Sequence, residues 1–280
     1  MRVTVCIPAY QSAGFLSETL KSLQDQTFTD WQCHVVDDAS KDLTIAVAER
    51  FASADSRFQV RQNPTRLGAA GNWNESIRGV NTEYVKLLCS DDVLAPNALA
   101  RGVEALDNSA RATYAAGKRD VIDDDGRILW RGRGLWRYAK PVAGAEAMRR
   151  FVRSGVNFFG EPSFGLYRTA ALQKAGGFDP AWSYLIDVAS YRDVLQQGNF
   201  VPINETLGAF RVRNSSWSAS LVGKQAEETR AMVRNVGEQP WVHASKSDVA
   251  LGEMRASANA LGRRPFFLFA EAMATRKTKG

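Results

Sequence analysis

Two adjacent carboxylates, Asp91 and Asp92, follow a short apolar segment at residues 84–88 that is typical of a buried strand. In a parallel sheet such a strand delivers the next residues to the carboxyl edge, where open α/β folds bind their ligands. Hard cations such as Mg²⁺ and Mn²⁺ take one or two carboxylates from a protein and add water and phosphate oxygens. The pair therefore indicates a metal site suited to a nucleotide diphosphate. Acids after a strand also occur as helix caps, so other motifs have to support this interpretation.

The elements that would position these acids are visible in the first hundred residues. Short apolar segments alternate there with segments of helical spacing, which is the pattern of a parallel sheet covered by helices. The predicted strands cover residues 3–7, 31–36, 58–61 and 84–88. Because right-handed crossovers place their βα turns at one edge of the sheet, the turns at Pro8, Asp37 and Ser90 are expected to lie together.

Each of the three turns offers a group that suits a nucleotide. Tyr10 can stack on a base or cover a ribose, and Pro8 stiffens its turn. Asp38 can accept a hydrogen bond from a pyrimidine imide N–H, while Asp91 and Asp92 can hold a ribose hydroxyl and a cation bound to diphosphate. Taken singly, each residue also has a structural interpretation as a strand-end aromatic or a helix cap. Agreement among the three turns favours the nucleotide site.

With these motifs the chain resembles the inverting family 2 glycosyltransferases of the GT-A fold, which move a sugar from a nucleotide donor to an acceptor hydroxyl. The matching segments are Val5–Tyr10, Leu20–Thr27, Val35–Ser40, Asn63–Asn74 and Leu88–Asp92. The resemblance implies an α/β fold of GT-A type, with a mostly parallel, Rossmann-like sheet flanked by helices, an acceptor-side half and C-terminal helices.

The resemblance also implies roles for individual residues. The nucleoside pocket would be lined by Pro8, Ala9, Tyr10 and Asp38. Asp91 would approach the ribose and the sugar, and Asp92, with Asp91 beside it, would bind Mn²⁺ or Mg²⁺. Many members of the family carry one more acid at the start of this motif, where this chain has Cys89. The chain thus has a two-acid version of the motif.

Arg66 lies in the loop from Gln62 to Asn74, before the third predicted helix. Its guanidinium can meet the donor phosphates in a charge-assisted hydrogen bond. The alternative is a solvated surface arginine beside a loop, and the sequence does not separate the two.

Asp187 is the candidate general base. It lies near the start of a helix in which Leu185, Val188, Tyr191 and Leu195 recur at helical spacing. A sugar hydroxyl is a poor nucleophile at neutral pH, so inverting transfer needs a carboxylate opposite the leaving diphosphate. The resemblance places the carboxylate that serves the family as general base at this position. The structural alternative is an acid favoured by the helix dipole.

Two further clusters of charge are less specific. The acids at residues 123–125 precede Gly126 between two apolar segments, so we expect an exposed hairpin tip rather than a metal site. Residues 162–168 are expected to form a strand that leads into a short helix ended by Gly176 and Gly177. Arg211 and Arg213 end the predicted closing strand, where they either offset the charge of the diphosphate or are ordinary strand-end arginines.

Composition bounds the class of protein. The chain has 280 residues, of which 45% are hydrophobic and 24% charged, and a net charge of +6. The three cysteines lie in apolar segments, which favours packed thiols over disulfides. The basic excess is spread out without a nucleic-acid-binding motif, so nucleic acid is not an expected partner. Neither a secretory segment nor a membrane span is recognisable, which predicts a cytoplasmic protein.

We expect three functional parts: a nucleotide-sugar half at residues 1–106, an acceptor and catalytic-base half at residues 107–222, and a helical extension at residues 223–280. The extension ends in arginine, aromatic and lysine residues. These suit peripheral contact with an anionic membrane face. A homodimer contact or simple packing stays equally open.

The sequence therefore predicts a metal-dependent inverting glycosyltransferase that uses a UDP or dTDP sugar. The resemblance implies that the acceptor is a saccharide or a lipid-linked saccharide in bacterial surface polysaccharide or glycolipid synthesis. Two alternatives from other classes are a silent scaffold subunit that binds nucleotide sugars and a nucleotidyltransferase. The second needs a basic residue near the first turn, and residues 8–11 contain none.

Overall fold

The computed structural model describes residues 1–135, 140–213 and 224–259. The chain divides into two compact units. Unit 1 comprises Met1–Gly144, Phe158–Ala181 and Ile186–Val212, and unit 2 comprises Ala145–Asn157, Trp182–Leu185 and Arg213–Gly280.

Unit 1 is built on one large mixed sheet. Its strands are β1 (Val3–Ala9), β2 (Trp31–Asp37), β3 (Phe58–Gln62), β4 (Tyr84–Leu87), β5 (Val93–Leu94), β6 (Ala112–Ile122), β7 (Ile128–Arg133), β8 (Val142–Ala143), β9 (Gly165–Arg168) and β10 (Asn199–Arg211). The helices of the chain are α1 (Leu16–Gln24), α2 (Thr44–Ala54), α3 (Gly68–Ile77), α4 (Ala98–Asp107), α5 (Gly144–Ser154), α6 (Thr169–Lys174), α7 (Ile186–Leu195), α8 (Gln225–Gly237) and α9 (residues 246–259).

The strand order is β3-β2-β1-β4-β9-β6-β10-β5, with β7 beside β6 and β8 beside β10. Strands β1 to β4 are mutually parallel, and β9 runs antiparallel to both β4 and β6. The chain builds outward from β1 to β3 and then returns to place β4 on the other side of β1. A crevice at such a switch point is where open α/β sheets bind ligands. The predicted α/β class and its four leading strands are confirmed.

The core of unit 1 forms where helices cover the apolar strands. All seven residues of β1 are buried, as expected for a central parallel strand with both faces covered. In α1 the buried side chains of Leu16, Leu20 and Leu23 recur along one face, and they belong to the same core cluster as the apolar residues of β1. Truncating one such leucine to alanine costs about 2–5 kcal/mol of stability. This packing fixes the ends of the strands that carry the site.

The part of the chain that follows α4 begins with a hairpin. Strands β6 and β7 are joined by a tight turn in which Gly126 has φ 77° and donates its N–H to Asp123 O at 3.0 Å. The predicted hairpin is confirmed. The strand expected from residue 162 is wrong in part, because Pro162–Phe164 forms a 3₁₀ turn and β9 begins only at Gly165. Proline has no N–H for a ladder and fits the first position of a helical turn.

Lys86 on β4 is an unusual interior residue of the sheet. It is 2% exposed, and its Nζ donates to the main-chain oxygen of Gly165 at 2.9 Å. Burial lowers the pKa of its ammonium to about 7, although the charge of Asp92 opposes this shift. At neutral pH the charged lysine is therefore a cost to the fold.

We expect Lys86→Met to change how stability depends on pH. In the parent the unfolded chain holds the lysine proton up to a pKa of 10.5, whereas the folded chain releases it near pH 7. The parent's free energy of unfolding should thus gain from this group as pH rises between those values, and the variant should lack that gain. Urea unfolding of both proteins at about pH 7 and about pH 9 measures the difference. Equal changes in the two proteins would contradict it.

Unit 2 contains most of α5 together with α8 and α9. Met148, Phe151 and Val152 of α5 are buried. The start of α9 is a reciprocal cap, in which Asp248 accepts the Ser245 N–H at 3.0 Å and Ser245 Oγ accepts the Asp248 N–H at 3.1 Å. The predicted membrane-contact or dimer segment at residues 263–279 lies outside the described residues. Among those described, no helix is long and apolar enough to span a membrane.

Candidate functional site

The three βα turns meet at the switch point, as the topology predicts. Gln11, after β1, donates its N–H to Ser40 Oγ of the turn after β2 at 2.9 Å. Ser12 Oγ lies 2.6 Å from Ser90 Oγ of the turn after β4. Two direct hydrogen bonds therefore join turns that are 29 and 78 residues apart in sequence. All the residues predicted for the site belong to unit 1.

Two residues of these turns have left-handed backbone conformations. Gln11 has φ 47° and Ala39 has φ 56°, and neither is glycine. Such conformations cost about 1–3 kcal/mol and persist where the surrounding structure enforces them, often at ligand sites. The bond from Gln11 to Ser40 is part of that enforcement.

Asp38 anchors the loop that leads into α3. It is 2% exposed, and its Oδ1 accepts hydrogen bonds from Asn63 Nδ2 at 2.9 Å and Leu67 N at 2.7 Å. Its Oδ2 accepts the Gly68 N–H at 2.9 Å. A carboxylate has about four acceptor positions, so three loop bonds leave capacity for one more donor. The base-reading role of Asp38 stays a prediction, and its structural role is now visible.

The sequence placed Asn72 within the matching segment Asn63–Asn74 but gave it no role of its own. Its side-chain amide donates to Val36 O at 3.1 Å and Ala9 O at 3.3 Å, and its Oδ1 accepts from Asn63 Nδ2 at 3.0 Å. The amide thereby ties the carboxyl ends of β1 and β2 together. For this structural role, the signal in the sequence was a polar residue on the buried face of a helix.

Tyr10 and Arg66 form one stacked pair. The guanidinium carbon of Arg66 lies 4.1 Å from the centre of the Tyr10 ring, and the tyrosine is 37% exposed. A cation over an aromatic face is attracted by about 0.5–1 kcal/mol at an exposed site. The sequence assigned the two residues separately to a base and to a phosphate. In the structure they form a single exposed platform beside the turn that follows β1.

The two carboxylates after β4 differ in environment. Asp91 is half-buried, whereas Asp92 is 0% exposed. Asp92 Oδ1 accepts the Arg211 main-chain N–H at 3.1 Å, and its Oδ2 is buried without a hydrogen-bond partner among the described residues. Burial raises the pKa of Asp92 well above its usual range, and the charge of Asp91 raises it further.

This environment fits a divalent cation. A buried carboxylate oxygen that lacks a donor can be satisfied by a metal ion, and adjacent carboxylates match the oxygen preference of Mg²⁺ and Mn²⁺. Among the described residues no group of three or more histidine, cysteine or acidic side chains could hold a metal alone. Cys89 does not replace the missing acid, because burial raises its thiol pKa and a neutral thiol suits these cations poorly. Water or phosphate oxygens would have to complete the coordination.

Asp187 lies in the first turn of α7, as the sequence predicts. It is 9% exposed, its Oδ1 accepts the Val188 N–H at 2.8 Å, and its main-chain oxygen accepts from Ser190 Oγ at 2.8 Å. These contacts fix the start of the helix and the orientation of the carboxylate. Its role as a base stays a prediction.

A layer of buried tyrosines lies close to Asp187. The ring of Tyr114 is 4.6 Å from that of Tyr167 and 4.7 Å from that of Tyr191, measured between centroids. Burial raises the pKa of Tyr114, and the nearby Tyr167 and Asp187 raise it further. Asp187 thus borders a layer of low polarity. The sequence did not indicate this layer, because its members come from three separate elements.

The remaining charged candidates differ in exposure and in their contacts. Asp124 and Asp125 are exposed on the hairpin tip, as expected. Arg211 is 2% exposed, and its guanidinium donates to acceptors within the protein, so it is not an ordinary strand-end arginine. Arg213 is half-buried and precedes residues 214–223, which lie outside the described chain, as does the loop predicted there.

Comparison with known proteins gives one family. The model of "Glycosyl transferase family 2" matches residues 4–176. One relative is the putative teichuronic acid biosynthesis glycosyltransferase TuaG of Bacillus subtilis, 29% identical over 102 residues, which cover 36% of this chain and 40% of that protein. For the first three curated relatives the match spans 59%, 37% and 40% of their lengths.

Solved structures show the same fold. Staphylococcus aureus TarS residues 1–349, in complex with UDP-GlcNAc, superposes with a TM-score of 0.67 at 19% identity, over 94% of this chain and 72% of that one. The mannosyltransferase PcManGT of Pyrobaculum calidifontis, in complex with GDP-Man and Mn²⁺, gives a TM-score of 0.64 at 17% identity, over 99% and 79% of the two chains. At these identities the likeness establishes the fold and no more.

Proposed function

The chain belongs to glycosyltransferase family 2, and we propose that it transfers a sugar from a nucleoside diphosphate donor to an acceptor hydroxyl with inversion. The observation that carries this proposal is the meeting of three βα turns at the β1/β4 switch point, with a carboxylate pair at one of them. Among the relatives and neighbours, TarS binds UDP-GlcNAc and PcManGT binds GDP-Man with Mn²⁺, which supports a nucleotide-sugar donor here.

In this proposal the nucleoside lies against the first two turns. Pro8 and Ala9 form the floor, the exposed ring of Tyr10 stacks on the base, and Asp38 uses its remaining acceptor capacity for the base. Arg66, held over the Tyr10 ring, turns its guanidinium edge to the diphosphate. The bases of UDP and dTDP both carry an imide N–H, from which a carboxylate can accept a hydrogen bond.

The acid pair would hold the cation. Asp92 would offer Oδ2, for which the described residues provide no hydrogen-bond partner, and Asp91 would contact both the metal and the ribose. When bound there, Mn²⁺ or Mg²⁺ would neutralise charge that develops on the leaving diphosphate. A cation bound there would also offset the repulsion between the two adjacent carboxylates, of which Asp92 is fully buried.

The displacement itself uses Asp187. Its carboxylate takes the proton of the acceptor hydroxyl while that oxygen forms a bond to the anomeric carbon. The bond from the anomeric carbon to the phosphate oxygen breaks on the opposite face, and its electron pair goes to the diphosphate. One such displacement inverts the anomeric configuration. The layer of low polarity beside Asp187 strengthens the electrostatic interactions of the carboxylate.

The acceptor would be a saccharide or a lipid-linked saccharide of a bacterial surface polysaccharide or glycolipid. The name of the relative TuaG, which assigns it to teichuronic acid biosynthesis, supports this class. The donor half would end near residue 106 and the acceptor half near residue 222. Contact with a membrane face or with a second copy through residues 223–280 stays a proposal, which the net charge of +6 favours for an anionic face.

A thermal-shift panel tests donor binding. We expect one nucleoside diphosphate, UDP or dTDP, to raise the melting temperature in the presence of Mn²⁺, because a ligand at 100 times its Kd stabilises the fold by about 2.7 kcal/mol. Tyr10→Ala should weaken binding of this nucleotide about tenfold, since base stacking on an aromatic ring contributes about 1–3 kcal/mol.

Met254→Ala is the matched control, since Met254 is another exposed large apolar side chain, 63% exposed, on α9. It should leave nucleotide binding unchanged. If no nucleoside diphosphate shifts the parent, or if Tyr10→Ala binds as well as the parent, the proposed pocket is wrong.

A further inference from the structure

We propose that Arg211 is a positioning residue that holds the carboxylate pair in a metal-binding geometry. The inference rests on the proposed function and assigns a role that the metal ligands alone do not explain. Arg211 ends β10, lies 119 residues from Asp92 in sequence, and is 2% exposed.

The contacts of Arg211 reach both acids. Its main-chain N–H donates to Asp92 Oδ1 at 3.1 Å, and its Nε donates to the main-chain oxygen of Asp91 at 3.0 Å. The first bond orients the Asp92 carboxylate, so that within the described parts of the chain Oδ2 is the oxygen left without a hydrogen bond. The second bond fixes the peptide that joins the two acids. The main chain at residue 211 thus sets which oxygen of Asp92 is available to a cation, and the Arg211 side chain fixes the peptide that carries both acids.

The rest of the guanidinium is fixed by two other segments. Its Nη1 donates to the main-chain oxygens of Asp123 at 3.0 Å and Asp124 at 3.2 Å on the β6–β7 turn. Its Nη2 donates to the carboxylate of Glu18 on α1, and its carbon lies 4.9 Å from the centre of the Phe15 ring. Each guanidinium nitrogen therefore donates to a protein acceptor, through four hydrogen bonds among the described residues.

This arrangement gives Arg211 a role distinct from direct charge neutralisation of the diphosphate. A buried arginine with all its nitrogens bonded inside the protein would have to break those bonds to reach a ligand. It acts instead as an outer partner of a metal ligand, and such partners typically change metal affinity by about 10- to 100-fold when they are lost. It also makes the main chain of the exposed acidic turn part of the metal-site scaffold.

Mn²⁺ binding to the full chain, measured by electron paramagnetic resonance of the free ion, tests the inference. Arg211→Lys keeps the charge but loses the fork, and we expect Mn²⁺ to bind about 10- to 100-fold more weakly. In transfer assays the Mn²⁺ concentration for half-maximal rate should rise by a similar factor, with a smaller change in kcat at saturating Mn²⁺.

Arg168→Lys is the matched control. Arg168 on β9 is also a structural arginine, which donates to the main-chain oxygens of Ala112 and Leu106 at 2.7 Å each, away from the acid pair. Both lysine variants should have a lower melting temperature than the parent, but only Arg211→Lys should bind Mn²⁺ more weakly.

Glu18→Gln keeps the test decisive if Arg211→Lys does not fold. Glu18 has a side chain that is 55% exposed, so this change spares the core, removes the carboxylate that fixes Nη2, and should weaken Mn²⁺ a few-fold. The inference is wrong if the parent binds Mn²⁺ and both Arg211→Lys and Glu18→Gln bind it equally well. If the parent binds no Mn²⁺, the metal site of the proposed function is itself wrong and the inference falls with it.

Discussion

Asp92→Asn is expected to abolish metal-stimulated transfer while making the metal-free protein more resistant to unfolding. Asparagine has nearly the same shape and keeps an oxygen for the Arg211 N–H, which lies 3.1 Å from Asp92 Oδ1. It lacks the charge that holds a divalent cation. Because Asp92 is a metal ligand in our proposal, the loss of Mn²⁺ affinity should exceed the roughly 10- to 100-fold typical of outer partners.

The gain in stability follows from the pKa of Asp92. Burial and the charge of Asp91 raise that pKa, so the folded protein binds a proton more tightly than the unfolded chain does. The group then favours the fold at low pH, and this contribution is lost as pH rises through the folded-state pKa. At neutral pH without metal, keeping this acid in the fold therefore costs stability relative to low pH, and asparagine, which does not titrate, removes that cost. Melting temperatures without metal at about pH 7 measure this effect.

The matched control is Asp125→Asn, on the exposed hairpin tip, whose side chain is 53% exposed. It should change neither Mn²⁺ affinity nor melting temperature, because surface substitutions usually stay within about 0.5 kcal/mol. Full Mn²⁺-dependent transfer by Asp92→Asn would exclude Asp92 as the principal ligand. The opposite changes in stability and activity distinguish a metal ligand from a residue that merely supports the fold.

The parts of this site that follow from local pattern could be predicted from the sequence. The apolar segments give β1 to β4, and right-handed crossovers then require their turns to share one edge of the sheet. The hydrogen bonds from Gln11 to Ser40 and from Ser12 to Ser90 are the result. Local rules also gave the β6–β7 hairpin, because Gly126 adopts the left-handed conformation that its turn requires.

The parts that depend on long-range packing could not be predicted. Arg211 looks like any basic residue at a strand end until β10 is placed beside β5 and β6, which brings it to the acids. Likewise Asn72 shows its role only when the ends of β1 and β2 are adjacent. The pairing of Tyr10 with Arg66 depends on the path of a loop. Such contacts are set by tertiary structure rather than by periodicity, and they decide how the site is preorganised.

Asp187→Asn is expected to have the largest effect on chemistry with little effect on donor binding. General base catalysis contributes about 10²- to 10⁴-fold, so transfer to an identified acceptor should fall by about that factor. In the parent the Val188 N–H donates to Asp187 Oδ1 at 2.8 Å. The amide oxygen of asparagine can accept the same hydrogen bond, so the start of α7 should persist. Nucleotide affinity with Mn²⁺ should stay at the parental value, because no donor contact is assigned to Asp187.

The matched control is Asp193→Asn on the same helix, where the acid is paired with Arg192 at 2.7 Å and is 29% exposed. It should transfer at the parental rate. Hydrolysis of the donor does not discriminate, since water can react without the base, so the product glycoside has to be measured. If Asp187→Asn forms that product as fast as the parent, another group takes the proton. If it loses product and nucleotide binding together, Asp187 supports the donor site rather than the displacement, and only a selective loss of product assigns it as the base.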